Sequence, residues 1–477
     1  MRARLIGSAL ALTLAACTPA TQSAPPAADQ VDTVEPATQT AAAELPVPET
    51  GADLITVYRY LHANPELSFK EAGSAALLAA ELKALGFTVT EGVGDDWVKA
   101  KAERDQGEVR DGVGGYGVVG ILENGPGPTV LVRADMDALP VVERTGVPFA
   151  STVRDITWTG VENGVMHACG HDVHMTSWLG TARALAGRTD DWSGTLVMIL
   201  QPAEELGLGA QAMLEDRLFE RFPKPDVNLA LHVSASTPSG TVAYTPGFAL
   251  ANVDSVDITV KGVGGHGAYP HTTKDPVIVA AHIITALQTL VSRSVDPQTP
   301  AVVTVGSIKA GAKHNIVSDE ATLLLTVRSY DDDTRKLLLD GIKRIADAQA
   351  AAFGAPPPDV VYEADAIAST YNDPELTEAS MAAIAGVIGT DNVMEVSPVM
   401  GGEDFSAYSR TDDKIPSLIF WVGAVEPDLY ARAQGGELPL PSLHSPFFAP
   451  DAAPTIETGH TAMTAAAINA FKRGAIN

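Results

Sequence analysis

The chain has 477 residues, 32 of them basic and 59 acidic, for a net charge of −27. A surface this acidic lacks the basic footprint that nucleic-acid binding needs and has no attraction for anionic lipid heads; its plain physical meaning is solubility. The two cysteines are Cys17 and Cys169, so the folded part carries one thiol and no internal disulfide framework.

Arg2 and Arg4 open the chain with positive charge, and an apolar stretch runs from Leu5 to Ala16. That stretch is shorter than the roughly 20 residues a membrane-spanning helix needs and suits the core of a secretory leader. It ends in Leu14-Ala15-Ala16-Cys17, which resembles a bacterial lipoprotein cleavage box in which the cysteine takes the lipid. The expectation is a leader over 1–16, lipidation at Cys17 and anchoring in the bacterial cell envelope. Thr18, rather than Asp, follows the cysteine, which favours the outer membrane where a bacterium has two. An ordinary leader with an incidental cysteine is the competing reading. Residues 17–48 are rich in Ala, Thr, Pro, Gln and Glu and cannot bury enough surface to offset their ordering entropy, so they read as a tether. No later apolar run is read as long enough to cross a membrane, which leaves the N-terminal lipid as the expected membrane contact.

Roughly 430 residues follow, too many for one typical core, so two domains are expected. Leu54, Val57, Tyr58 and Leu61 fall at helical spacing, and a second helix spans about 72–85 with Gly86 as its C-cap. Strands are predicted over 118–122, 129–134, 194–201 and 228–233, with a helix over 173–186. Such near-continuous apolar runs fit a sheet covered by helices on both faces. The charged run 95–110, between Gly92-Val93-Gly94 and Gly112-Val113-Gly114, reads as a surface insertion without assigned function. From 253 the rhythm changes to strand, helix over 275–290, strands over 302–308 and 321–329, helix over 334–353 and strand over 359–363. That β-α-β-β-α-β order is the ferredoxin-like split pattern, inserted into the first domain, which resumes with a buried strand at 418–422. The predicted class is therefore α/β in two domains: a catalytic α/β sheet domain over 49–250 and 365–477, and an inserted ferredoxin-like lid or dimerisation domain over 251–364.

Four short segments carry the chemistry, each at a predicted strand end or in an adjoining loop, where open α/β sheets bind ligands. Arg133-Ala134-Asp135-Met136-Asp137-Ala138-Leu139-Pro140 delivers two acids two residues apart. His167, Cys169, His171, Asp172 and His174 crowd into eight residues, a donor set suited to zinc-like metals. Glu204 and Glu205 are adjacent carboxylates, which repel unless a cation or a shared proton lies between them. Acids favoured at a helix start are the plainer explanation for that pair. His232 ends another buried strand and His444 lies in a loop near the C-terminus; two more imidazoles complete the count a two-metal site needs.

The ordered set RADMDALP, MHACGHD, QPAEE, LH, GGHGAYPH, GGEDF and LHSP resembles the metallopeptidase family of aminoacylases, hippurate hydrolases and plant auxin-conjugate amidohydrolases, with related carboxypeptidases. The likeness runs from about residue 50 to 475 and is strongest to the auxin-conjugate and hippurate branch. It implies two divalent metal ions, zinc or manganese first, with cobalt or nickel as alternatives. Cys169 would bridge them, His171 and His232 completing one and Glu205 and His444 the other. Glu204 would be the general base, Asp137 an acid that orients a ligand histidine, and His266 the group that reaches the substrate carbonyl, in relatives often from the partner subunit. Asn315 and Arg328 match further substrate-side positions, while His174, His167 and Asp404 take supporting roles. The implied activity is metal-dependent hydrolysis of the amide bond in small N-acyl amino acids or short peptides, by a homodimer.

The spacer between Pro140 and Met166, including Asp155 to Gly160, departs from that branch and, with 95–110, could reshape the mouth of the site. Two other readings stand: a dipeptidase or carboxypeptidase of the same family, and a lipid-tethered protein that binds peptides or amino-acid conjugates without cutting them. The second would be expected to lack a ligand or the base, and none is missing.

Overall fold

The computed structural model describes residues 45–474. The expected leader, Cys17 and the tether up to residue 44 lie outside the described residues.

Eight strands form the larger sheet, in the order Thr88–Val93, Gly117–Asn124, Gly194–Gln201, Thr129–Asp135, Val227–Pro238, Ser417–Val425, Val242–Tyr244, Val393–Glu395. The four central strands, from Gly194–Gln201 to Ser417–Val425, are parallel to one another. Their alternation splits the core between two faces. Leu196, Met198 and Leu200 join one apolar cluster with Leu78, Trp178 and Met463 from covering helices, while Val197 and Ile199 join a second with Met213, Phe405 and Tyr408. This is why these strands read as unbroken apolar runs. Each side chain so buried contributes about 1.5–3 kcal/mol from its removal from water.

Helix Leu54–Ala63 begins where the Asp53 side chain accepts the Thr56 amide, and it buries Val57, Tyr58 and Leu61. Helix His171–Ala186 is buried nearly all round, packed between that helix, the sheet and the long C-terminal helix Ala452–Arg473. It starts directly after Cys169-Gly170, so the cysteine-histidine motif sits at its amino end and at the carboxyl edge of the parallel strands.

The segment 252–362 builds a four-stranded antiparallel sheet in the order Ala301–Ala310, Glu320–Ser329, Asn252–Lys261, Asp359–Tyr362. This is the ferredoxin-like order, with helices Pro276–Thr289 and Asp332–Ala352 packed on one face. Its core is separate and apolar, from Ile258, Ile283, Leu323 and Ile342 among others.

One expectation needs correcting and another gains detail. An apolar helix of span length is present: Pro276–Ser294 has 19 residues and a mean hydropathy of 1.4. Its stripe of Val279, Ala280, Ile283 and Leu287 is the core of the smaller sheet, so the apolarity has a packing cause. The run 95–110, expected as a surface insertion, is largely helical. Asp95–Gln106 is a helix bounded by Gly94 and Gly107, both with positive φ, and it buries Val98 and Ala102. Those two apolar residues, four apart in a charged run, were too few to show a stripe. In the unmatched spacer, Arg154–Ile156 and Glu162–Gly164 pair as an antiparallel hairpin.

Candidate metal centre

Three parallel strands deliver the site. Thr129–Asp135 ends in Asp135 with Asp137 just beyond, Gly194–Gln201 leads into Glu204 and Glu205, and Val227–Pro238 carries His232. The Asp137 carboxylate accepts the amides of Glu204 and Glu205, both at 3.0 Å, and the Ser68 hydroxyl at 2.6 Å. It thereby fixes the turn that presents the two glutamates. Ala203, immediately before them, holds φ at 51°, a left-handed conformation costly for a residue with a Cβ. His444 is the second such residue at the site, with φ at 65°. Its amide donates to the Ala168 carbonyl at 2.9 Å, which binds the C-terminal loop to the cysteine motif.

The donor atoms of Cys169, His171 and His232 lie within 4.8 Å of one another, and so do those of Cys169, Glu205 and His444. Cys169 Sγ stands 3.5 Å from His232 Nε2 and 3.3 Å from His444 Nε2, and His444 Nε2 stands 3.4 Å from Glu205 Oε1. The five residues expected to be ligands are thus brought together in two triads that share the thiol.

The histidine nitrogens are already sorted by their bonds. His171 Nδ1 donates to the main-chain carbonyl of Asp137 at 2.7 Å, and His232 Nδ1 to the carbonyl of Val233 at 2.7 Å, which leaves each Nε2 for the centre. Asp137 therefore orients His171 through its backbone carbonyl, with its Oδ1 3.4 Å from the same Nδ1, while its carboxylate also holds the glutamate turn. His174 is engaged at both ends: Nδ1 donates to Asp135 at 2.6 Å and Nε2 accepts the Val233 amide at 2.9 Å. It has no nitrogen left for a ligand, and burial holds it neutral, down at about 3.

Charge accumulates at this edge. Arg133 is fully buried and donates to Gln201, Asp135, Glu403 and Asp404 at 2.6–3.1 Å. Against that one guanidinium stand Asp135, Glu403, Asp404 and Glu204, all buried, with Glu205 beside them. Burial, then repulsion from Glu403 and Glu205, pushes the Glu204 carboxyl well above the usual range. Burial likewise pushes Glu205 up to about 8 and the Cys169 thiol well above its ordinary value. His171 shows the converse. Burial opposes its charge, yet Asp135 and Asp137 outweigh burial and hold it at about 10.

These residues fit divalent cations. His171 Nε2 is buried and makes no hydrogen bond, although it lies 3.8–4.0 Å from Asp135, Glu204 and Glu205. A thiol, three imidazoles and a carboxylate around an excess of buried negative charge need positive charge between them, and soft and borderline donors suit transition metals.

The substrate-side candidates lie elsewhere. Gly265–His266 and Ile316–Val317 pair as a two-residue ribbon, and the Gly267 amide donates to the Asn315 carbonyl at 2.9 Å, so His266 and Asn315 share one exposed loop. Among the described residues, no hydrogen bond or ion pair joins that loop to the Cys169 cluster. Arg328 is half-buried on its strand, and a Cβ on Gly402 would meet its Nη1 at 3.7 Å, which puts it beside the turn carrying Glu403. Sequence reasoning gave no role to Arg133, Asp135 or Glu403. The Glu403-Asp404 pair carried the same signal as Glu204-Glu205, adjacent acids in a protein that must bury them.

Residues 131–435 match the model of Peptidase family M20/M25/M40. Thermostable carboxypeptidase 2 of Saccharolobus solfataricus is 37% identical over 373 residues, 78% of this chain and 85% of the relative. Hippurate hydrolase of Campylobacter jejuni is 36% identical over 351 residues, 73% of this chain and 82% of the relative. Among solved structures, the Bacillus subtilis YXEP protein, a dinuclear metal binding peptidase from the M20 family, aligns with a TM-score of 0.67 at 27% identity, over 89% of this chain and 98% of that one.

Proposed function

Because the chain belongs to peptidase family M20/M25/M40, we propose that it is a metal-dependent hydrolase of the amide bond in N-acyl amino acids or short peptides. The observation that carries the reading is the Cys169 thiol within 3.5 Å of two imidazoles, beside the buried Glu204 and the adjacent Glu205 carboxylate. Two divalent ions held by Cys169, His171, His232, Glu205 and His444 would polarise the scissile carbonyl and bring a water toward deprotonation near neutral pH.

Glu204 takes the proton of the attacking water on its carboxylate and returns it to the departing amine nitrogen. Its raised proton affinity suits it to hold that proton between the two transfers. Asp137 keeps the base in place through two backbone amides, and Arg133 keeps Glu403 and Asp404 from drifting into the cleft. His266 donates to the developing oxyanion after the smaller sheet closes, or from a second copy of the chain. Asn315 and Arg328 contact the substrate, the Arg328 guanidinium being chemically suited to a carboxylate.

A homodimer through the smaller sheet fits its surface. Ala301–Ala310 is an edge strand with Ile308 at 51% exposure, and the neighbouring helix exposes Val277 and Ile278. A lipid anchor in the bacterial envelope is supported by Arg2 and Arg4, the apolar run 5–16 and the Leu14-Ala15-Ala16-Cys17 sequence.

Hydrolysis of N-acetyl, N-benzoyl and indole-acyl amino acids and of dipeptides by the purified full chain tests the reading. Cleavage lost on chelation and restored by zinc, manganese, cobalt or nickel is expected, and the relative rates separate acylase from peptidase. Metal bound at two per chain with no cleavage of any member would turn the reading to a binding protein.

A further inference from the structure

Glu71 is wholly buried, yet it belongs to none of the donor clusters at the metal centre. It opens helix Ala72–Ala84, where an acid ordinarily bonds the free amides of its own first turn. Glu71 makes no such capping bond. Its Oε1 instead accepts the Phe69 amide at 3.0 Å and the Ala203 amide, 132 residues away, at 2.8 Å. Phe69 and Ala203 both have positive φ, 63° and 51°. That left-handed backbone is disfavoured for any residue with a Cβ and persists only where surrounding bonds fix it. One carboxyl oxygen therefore fixes two strained residues.

The second of them leads into Glu204 and Glu205. Asp137 accepts the amides of those two, so three successive amides, from Ala203 to Glu205, are held by two buried carboxyl groups. The Ala203 carbonyl is held as well, by the amides of Leu208 and Gly209 at 3.3 and 3.1 Å. Both carboxyl groups are tied to one stretch of chain: the Ser68 hydroxyl donates to Asp137, and the next amide, of Phe69, donates to Glu71. Without an acceptor for its amide, Ala203 would relax toward the ordinary negative φ, and the start of the glutamate turn would swing with it. Glu71 Oε2 makes no hydrogen bond among the described residues, so Oε1 alone carries both contacts. Burial, then repulsion from Asp137, pushes the Glu71 carboxyl well above the usual range, and a neutral side chain suits the place.

We propose that Glu71 is a positioning residue for the general base: its side-chain oxygen holds the left-handed turn at Ala203 and so aims the Glu204 carboxylate. This rests on the amide-hydrolase reading above, in which Glu204 carries the proton. What the turn needs from Glu71 is reach and a lone pair, not charge.

Three substitutions test it, in the metal-loaded full chain with N-acetyl and N-benzoyl amino acids as substrates. Glu71→Gln keeps the oxygen at the same reach and should leave kcat close to that of the wild type. Glu71→Asp keeps the carboxyl group and is a favoured helix start, but it is about 1.5 Å shorter and cannot hold both amides. It should lower kcat at least about tenfold with KM little changed and bound metal unchanged, since misplacing a reacting group by an ångström costs up to about 10²-fold. In the Ala203→Gly background the same Glu71→Asp change should cost at least about threefold less, because glycine holds a positive φ without help. A side chain that only filled the core would cost the same in both backgrounds. A Glu71→Asp enzyme that turns over like the wild type, a Glu71→Gln enzyme as impaired as Glu71→Asp, or an equal loss in the two backgrounds would each remove Glu71 from the placement of the base. If the wild type cleaves no member of the series in a chelator-sensitive way, the hydrolase reading falls and the role of Glu71 falls with it.

Discussion

At the carboxyl edge of the eight-stranded sheet, Arg133, Asp135, Glu204, Glu403 and Asp404 are all buried within one network. The four-stranded sheet has an apolar core around Ile258, Leu323 and Ile342, and its one buried acid, Asp254, is paired by Arg335. Its candidate substrate groups, His266 and Asn315, stay at the surface. Burying several charges costs free energy that apolar packing elsewhere must offset, so a protein does it where fixed positions and shifted proton affinities are needed. A group that meets substrate only after closure or assembly needs no such framework, and a two-residue ribbon suffices.

The sharpest break in this contrast is at Glu204. Glu204→Gln keeps the shape and leaves Asp137's two amide bonds intact, so metal content should hold while kcat falls by about 10²–10⁴. Retained turnover would remove the base from the mechanism. Arg133→Met comes next: it leaves Asp135, Glu403 and Asp404 without their shared cation, and a loss of about 3–5 kcal/mol in urea unfolding is expected. A loss under about 1 kcal/mol would show that the acids are neutralised in another way. His266→Ala should lower kcat/KM by roughly 10²-fold, comparable to losing one oxyanion donor, without moving the urea midpoint. If it shifts stability and spares the rate, the exposed ribbon is structural and the contrast between the two sheets fails at that end.

The same contrast explains what could be read beforehand. The parallel strands were legible because burial on both faces makes them apolar throughout, and the smaller sheet because its strands alternate. Helix Asp95–Gln106 was not, since Val98 and Ala102 are its only buried apolar residues and Lys101 between them is tied to Asp105 and Asp365. The hairpin was not, since three-residue strands carry no period.

Composition and local pattern settled the α/β class, the split motif and the donor types at the centre, because burial, periodicity and ligand chemistry are properties of neighbouring residues. Only the packed chain decided which donors meet. His444 lies 275 residues from Cys169 yet stands 3.3 Å from its sulfur, and Glu403 reaches Arg133 across 270 residues. It also decided that His174 spends both nitrogens on Asp135 and Val233 while His171 keeps Nε2 free. Such choices depend on which carbonyls and carboxylates the strands bring alongside each ring. A free nitrogen or a shared charge exists only once distant segments are in register.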